Sequence, residues 1–220
     1  MMKEHFIREL LRLQSMIAAQ GDRVKLSISH AMEAFHKSDV ALAARVISAD
    51  AEIDAEEIRI EEECLKILAL YQPVATDLRT VVAILKINTS LERMADFGAH
   101  IAERVEEITR FREHAALERP DFTAMAEIVL GMLGDTLEVM RTGDAVPAYR
   151  VISRDDDVDN MRHHNKLLAV RAISRCPEAA DYYIACIGLS RDLERIGDLT
   201  TDICEHIIYL NSGKIVRHKV

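Results

Sequence analysis

Val46-Ile47-Ser48-Ala49-Asp50-Ala51-Glu52-Ile53-Asp54 is the stretch whose reading decides the fold. It opens a longer stripe that continues through Glu57, Ile60, Glu61, Cys64, Ile67 and Leu68 at three- and four-residue spacing, the period of one face of an α-helix. Asp50, Asp54, Glu57 and Glu61 sit on that stripe among apolar residues. A globular helix usually places its acids on the opposite face. Residues four apart on a helix have Cβ atoms roughly 5–6 Å apart, so Asp50 and Asp54 aim two carboxylates at one place.

The stretch returns 105 residues later as Val151-Ile152-Ser153-Arg154-Asp155-Asp156-Asp157-Val158-Asp159. A second acidic pair, Glu92-Arg93-Met94-Ala95-Asp96, returns 102 residues later as Glu194-Arg195-Ile196-Gly197-Asp198. Two matched halves are the signature of an internal repeat. Six helices are expected, over 3–37, 39–71, 75–112, 121–142, 144–175 and 178–212. Ser38-Asp39 and Gly143-Asp144 read as a helix end followed by an N-cap. Pro73 and Pro177 end the second and fifth helices, because proline breaks the backbone ladder. The fold class is therefore all-α: a tandem repeat of two three-helix bundles with antiparallel up-down helices. The first repeat spans 1–112 and the second 121–220, joined near 112–121.

Composition agrees. Hydrophobic residues make up 49% of the 220, enough to exclude disorder, and only 4 prolines and 8 glycines interrupt the helical pattern. The net charge of −9 argues against non-specific nucleic-acid binding, which needs a basic footprint. Cys64, Cys176, Cys186 and Cys204 contain no Cys-x-x-Cys and read as free thiols of a reducing compartment. Lys3-Glu4-His5-Phe6-Ile7-Arg8-Glu9 is too charged for a signal peptide, and nothing approaches the ~20 apolar residues of a membrane span. A cytoplasmic location is expected.

Facing stripes of carboxylates repel one another unless protons, cations or basic side chains intervene. Three readings of the acidic pairs stay open on pattern alone: oxygen-rich metal binding from facing helices, salt-bridged faces using Arg45, Arg59, Arg93 and Arg195, or a partner surface. The second half departs from the first, since Glu57 falls on Arg162 and Glu61 on Lys166, and so is expected to hold metal less well. Asp202 extends Glu194 and Asp198 by another turn. His100, four residues after Asp96, is a further candidate ligand. Glu33-Ala34-Phe35-His36 has the Glu-x-x-His spacing of di-iron bundles but occurs in one copy. No His-Glu-x-x-His, phosphate-cradling glycine loop or Gly-x-Ser-x-Gly is present, so no catalysis is expected. Gly131 and Gly134 read as close helix packing. Gly98 and Gly197 lie inside helices beside the acidic pairs, where glycine costs about 1 kcal/mol relative to alanine; a close neighbour explains them.

At these residues the chain resembles the PhoU family over essentially its full length. The resemblance is carried by Phe6-x-x-Glu9-Leu10-x-x-Leu13, Asp50-x-x-Ile53-Asp54, Gln72-Pro73-Val74-Ala75-Thr76-Asp77-Leu78-Arg79, Leu91-Glu92-Arg93-Met94-Ala95-Asp96 with Ile101-Ala102-Glu103, Leu193-Glu194-Arg195-Ile196-Gly197-Asp198, and Tyr209-Leu210-x-x-Gly213-Lys214-x-Val216-Arg217-His218. It implies a cytoplasmic, usually dimeric negative regulator of the phosphate-starvation response that links a phosphate ABC transporter to a membrane sensor histidine kinase. It also implies metal on the Glu/Asp-x-x-x-Asp motifs: here Glu92, Asp96, Glu194 and Asp198, with Asp50, Asp54, Asp155 and Asp159 as companions. Iron, zinc, magnesium and manganese are all compatible with such ligands. The chain departs from the family pattern at Ala95, at Leu199-Thr200 and at Cys204, and these changes leave the carboxylates in place. The alternatives are a regulator of another ion transporter on the same fold, and a carboxylate-bundle metalloenzyme or metal store.

Overall fold

The computed structural model describes residues 2–111 and 120–212. Segment 112–119, most of the expected linker, and the Gly213–His218 part of the tail motif lie outside the described residues. Among the described residues there are seven α-helices and no strand: α1 (Met2–Lys37), α2 (Val40–Tyr71), α3 (Ala75–Phe111), α4 (Phe122–Thr142), α5 (Ala145–Ser153), α6 (Asp155–Arg175) and α7 (Ala180–Ser212). A 3-10 turn, Pro177–Ala179, leads into α7.

The expected helices are all present, with one correction. The fifth, expected as one piece over 144–175, is divided at Arg154 into α5 and α6. There the Arg154 N–H bonds to the Val151 carbonyl at 3.0 Å and the Asp157 N–H to the Arg154 carbonyl at 3.2 Å, three-residue bonds that tighten the chain locally. Three consecutive aspartates are poor in a helix interior and favourable in a first turn, where they meet the positive end of the dipole. Asp155, Asp156 and Asp157 therefore begin α6.

The caps at Asp39 and Asp144 work as read, and Asp121 adds a third. The carboxylates of Asp39, Asp121 and Asp144 accept from the backbone N–H groups of Leu42, Ala124 and Val146 at 2.9, 3.1 and 2.9 Å. α1 closes through two reverse bonds, Asp39 N–H to the Ala34 carbonyl at 2.9 Å and Ser38 N–H to the Phe35 carbonyl at 3.3 Å, with Ser38 left-handed at φ 54°. α4 ends on Gly143 at φ +70°, where glycine carries no steric penalty.

Each half wraps one long helix, α3 or α7, with its neighbours, and the two halves share a single core. α1 packs on α4, and α3 on α7. Both pairs run antiparallel. Phe35 meets Phe122 with ring centroids 5.3 Å apart, while Lys25 lies over Gly134. Ile108 and Tyr182 line one recess, while Arg104 reaches Gly188 and Asp192. Gly21 lets α1 approach α4 closely, since a Cβ there would collide with a Leu137 methyl. α2 and α5–α6 thus form the outer walls. No helix among the described residues is long and apolar enough to cross a membrane.

The inward stripe of α2 is narrower than the sequence suggests. Val46, Ile53, Ile60, Cys64 and Ile67 are buried, but Ile47 is 40% exposed and Asp54 and Glu61 face solvent. The acids flank the buried seam instead of lying within it. Cys64, Cys186 and Cys204 are buried thiols outside any disulfide, and Cys176 is half-buried. Burial pushes the Cys64 thiol up to about 12 and that of Cys204 up to about 11, so both stay protonated at neutral pH.

Candidate metal centre

The first site is built where α2 faces α3. Two side-chain amides fix the helices that carry it. Asn88 donates to the Glu57 carbonyl at 2.9 Å, setting α3 against α2. Gln20, fully buried, donates to the Ile53 carbonyl at 2.8 Å, setting α1 against α2. Each amide binds a main-chain oxygen inside the acidic stretch, so the carboxylate positions follow from the packing of three helices.

Asp50 and Asp54 from α2 and Asp96 from α3 each bring one carboxylate oxygen within 4.8 Å of the others. That span is about twice a calcium–oxygen distance of 2.3–2.6 Å and somewhat more than twice that of magnesium. Asp50 Oδ1 is buried without a hydrogen-bond partner. Among the described residues, none of Asp50, Asp54, Glu57, Glu92 or Asp96 has a salt-bridge partner, although thirteen other pairs form. Burial raises the Asp50 carboxyl above the ordinary range, and Asp54 and Asp96 raise it further. Glu92 is raised by burial and then by Asp96, Asp54, Glu57 and Asp50. Asp96 and Glu57 are raised by burial and by adjoining acids, Asp54 for the former and Glu61 for the latter. A cluster that resists ionisation for these reasons is relieved by a cation. The donors are all hard oxygens, the set that suits magnesium, calcium, manganese or iron.

The second site faces α6 to α7 with the same burial pattern. Asp155, Glu194 and Asp198 are half-buried and Asp159 is exposed, as are Asp50, Glu92, Asp96 and Asp54 in turn. Its charges are answered differently. Arg162 Nε lies 3.4 Å from Glu194, and Arg195 lies 3.7 Å from Glu194 and 3.0 Å from Asp198. Arg162 stands where the first half has Glu57. Here guanidinium groups occupy the place of a cation. Burial still lifts Asp155 to about 6, helped by Asp198 and Asp159. Gly197 has its reason beside it, because a Cβ there would meet Asp155 Oδ1 at 3.4 Å. Gly98 likewise faces Ile28 of α1 at 3.2 Å.

Other sequence readings sort by contact. The salt-bridged reading holds for Arg195; Arg59 pairs with Glu56 at 2.9 Å instead. Against the burial and the Asp54 charge that raise the Asp96 carboxyl, His100 and then Arg93 act in the opposite direction. His100 is exposed, stands against Phe97 and supplies no atom to the triad. Glu61 is one turn beyond the triad. Glu33 is tied to Lys37 at 2.6 Å, and His36 rests on Phe35. Gly131 and Gly134 are covered by the Arg154 and Lys25 side chains, not by a bare helix. Sequence reasoning missed Asp192, 1% exposed and 3.3 Å from Arg104 across the two halves. Its signal was present, since Leu189, Leu193 and Ile196 put it on the core face of α7.

Comparison with known proteins agrees with this architecture. The model of the PhoU domain matches twice, at residues 17–105 and 122–207. The phosphate-specific transport system accessory protein PhoU homolog of Clostridium acetobutylicum is 33% identical, covering 98% of each chain. The PhoU homolog of Aquifex aeolicus is 34% identical over 96% of this chain and 95% of its own. The crystal structure of PhoU from Pseudomonas aeruginosa superposes with a TM-score of 0.89 at 31% identity, covering 95% of this chain and all of that one. That of the phosphate transport system regulatory protein PhoU from Streptococcus pneumoniae gives 0.85 at 28% identity, covering 96% and 99%. With two domain matches, end-to-end relatives above 30% identity and the same helical architecture, this chain belongs to the PhoU family.

Proposed function

We propose that this protein is a cytoplasmic negative regulator of the phosphate-starvation response. It couples a phosphate ABC transporter to a sensor histidine kinase and restrains phosphate uptake when phosphate is abundant. The observation that carries this reading is the end-to-end similarity to proteins named as accessories of phosphate-specific transport. The absence of catalytic motifs from the sequence fits an accessory that works by binding. Such a regulator acts by differential affinity for two states of its partner, and a homodimer doubles each contact.

Cation binding at the first acidic site belongs to the same reading. Asp50, Asp54 and Asp96 would hold the ion, with Glu57 and Glu92 in electrostatic reach. The ion would neutralise the face and fix α2 against α3, and Asn88 and Gln20 transmit that register to the rest of the bundle.

The experiment is alkaline phosphatase activity in cells lacking the gene, grown in abundant phosphate, with and without a plasmid copy. High activity that the copy suppresses supports the reading. Low activity unchanged by deletion counts against it and favours a regulator of another ion transporter. The carboxylate triad also admits a metalloenzyme, for which oxygen consumption by the metal-loaded protein is the deciding measurement.

A further inference from the structure

The outer face of α6 carries cations without acids. From Asn160 to Arg175 the chain holds Arg162, Lys166, Arg171 and Arg175 and no Asp or Glu, on a molecule of net charge −9. The last acid of α6 is Asp159, and the next are Glu178 and Asp181, beyond the end of the helix at Arg175. Arg162 is half-buried and turned onto Glu194 at 3.4 Å. Lys166, Arg171 and Arg175 are exposed, and among the described residues none of them forms an ion pair. Leu167 and Val170, 42% and 49% exposed, stand between them. At about 100° per residue, these two lie opposite the buried seam of Val158, Asn165, Ala169 and Ala172, with Lys166 on one flank and Arg171 and Arg175 on the other.

The repeat shows that packing does not require this face. Residues 55–70 of α2 occupy the same frame, 105 positions earlier. The inner seam is kept: Ile60, Cys64 and Ile67 are buried, as are Asn165, Ala169 and Ala172. The outer charge is reversed. Glu56, Glu57, Glu61, Glu62 and Glu63 correspond to Met161, Arg162, Lys166, Leu167 and Leu168. The cations of this stretch of α2 are also answered within their own helix, Arg59 by Glu56 at 2.9 Å and Lys66 by Glu63 at 3.0 Å. Lys166, Arg171 and Arg175 have no such answer.

We propose that this face is a docking surface for an anionic phospholipid membrane. The three free cations span about 14 Å of helix at about 1.5 Å per residue and stand on both flanks of the apolar pair. That spread does not converge on one small anion; it matches a sheet of phosphate headgroups. Leu167 and Val170, between the cations, reach the headgroup–acyl boundary, as the apolar side of an interfacial helix does. Each cation near such a surface strengthens partitioning about fivefold, so three of them give a reversible contact. The inference stands independently of the regulatory reading.

The test is co-sedimentation of the full-length chain with vesicles, in the presence of a chelator so that no metal bridges the acidic sites to phosphate. Wild-type protein is expected to partition onto mixed phosphatidylglycerol–phosphatidylcholine vesicles, less so at high salt, and not onto phosphatidylcholine alone. Lys166→Gln with Arg171→Gln should lower the partition coefficient about 25-fold. Leu167→Ser with Val170→Ser should lower it without changing its salt dependence. Arg59→Gln with Lys66→Gln, the same change on α2, should leave it unaltered. All six positions are exposed, and circular dichroism verifies that each variant folds. Failure of wild type to partition onto the anionic vesicles overturns the proposal; salt-sensitive retention on immobilised poly-L-glutamate, lost in the double variant at Lys166 and Arg171, then assigns the face to an acidic protein. Partitioning that is undiminished in the α6 variants, or equally diminished in the α2 variant, overturns the assignment to this face.

Discussion

At the scale of single residues, one position separates the two acidic sites most directly. Glu57 in the first half is Arg162 in the second, and Arg162 is turned onto Glu194 at 3.4 Å. Glu92→Gln with Asp96→Asn is therefore expected to reduce cation binding, read by isothermal titration, more than Glu194→Gln with Asp198→Asn; equal losses would contradict the ranking of the sites. Arg162→Glu should raise the number of cations bound per chain, measured by elemental analysis after equilibrium dialysis. The Asp155 carboxyl, raised to about 6 from an unfolded value near 4, sets a pH dependence. The native state binds this proton more tightly than the unfolded chain. Its stabilising effect is complete below about pH 4 and is lost as pH rises through about 6. Without added metal, the melting temperature should fall between about pH 4 and pH 7, and Asp155→Asn should flatten that fall.

At the scale of the helix, the chain relies on caps. Gly143 ends α4 at φ +70°, and a Cβ there would touch nothing within 4 Å. Gly143→Ala is thus a test of backbone strain alone. It should cost about 1 kcal/mol, lowering the melting temperature by about 2–4 °C, as calorimetry would show. The tightened turn at Arg154 is where helical periodicity misled about an element boundary. Val151 and Val158 continue one apolar seam across it, so the pattern reads as unbroken. The division follows from the run of aspartates and from the guanidinium that reaches Asp135, a contact 19 residues away.

At the scale of the whole molecule, the halves are bonded across α3 and α7 by Arg104 and Asp192. Asp192 is almost fully buried, and burial raises its carboxyl while Arg104, the nearest opposing charge, lowers it. Arg104→Ala would strand that carboxylate and is expected to cost about 3 kcal/mol in denaturant unfolding. Replacing both partners by apolar residues should recover most of the loss, and failure to recover would mean that the pair is not the linkage. A broken interface with intact bundles would appear as two unfolding transitions.

The six-helix plan, the caps and the repeat are local facts, set by apolar periodicity, by Asp and Gly at the ends and by proline at the breaks, and they are legible residue by residue. The ten acids of the candidate sites were legible as helix-face pairs for the same reason. What spacing cannot carry is which pairs meet. Asp96 joins Asp50 and Asp54 because Asn88 and Gln20 fix the register of three helices, while Glu61 is left a turn away. Whether an acid is answered by arginine or left for a cation depends on the reach of Arg162, Arg195 and Arg154 across helix boundaries. The shared core and the burial of Asp192 likewise depend on distances between segments far apart in sequence, which only the packed tertiary structure sets.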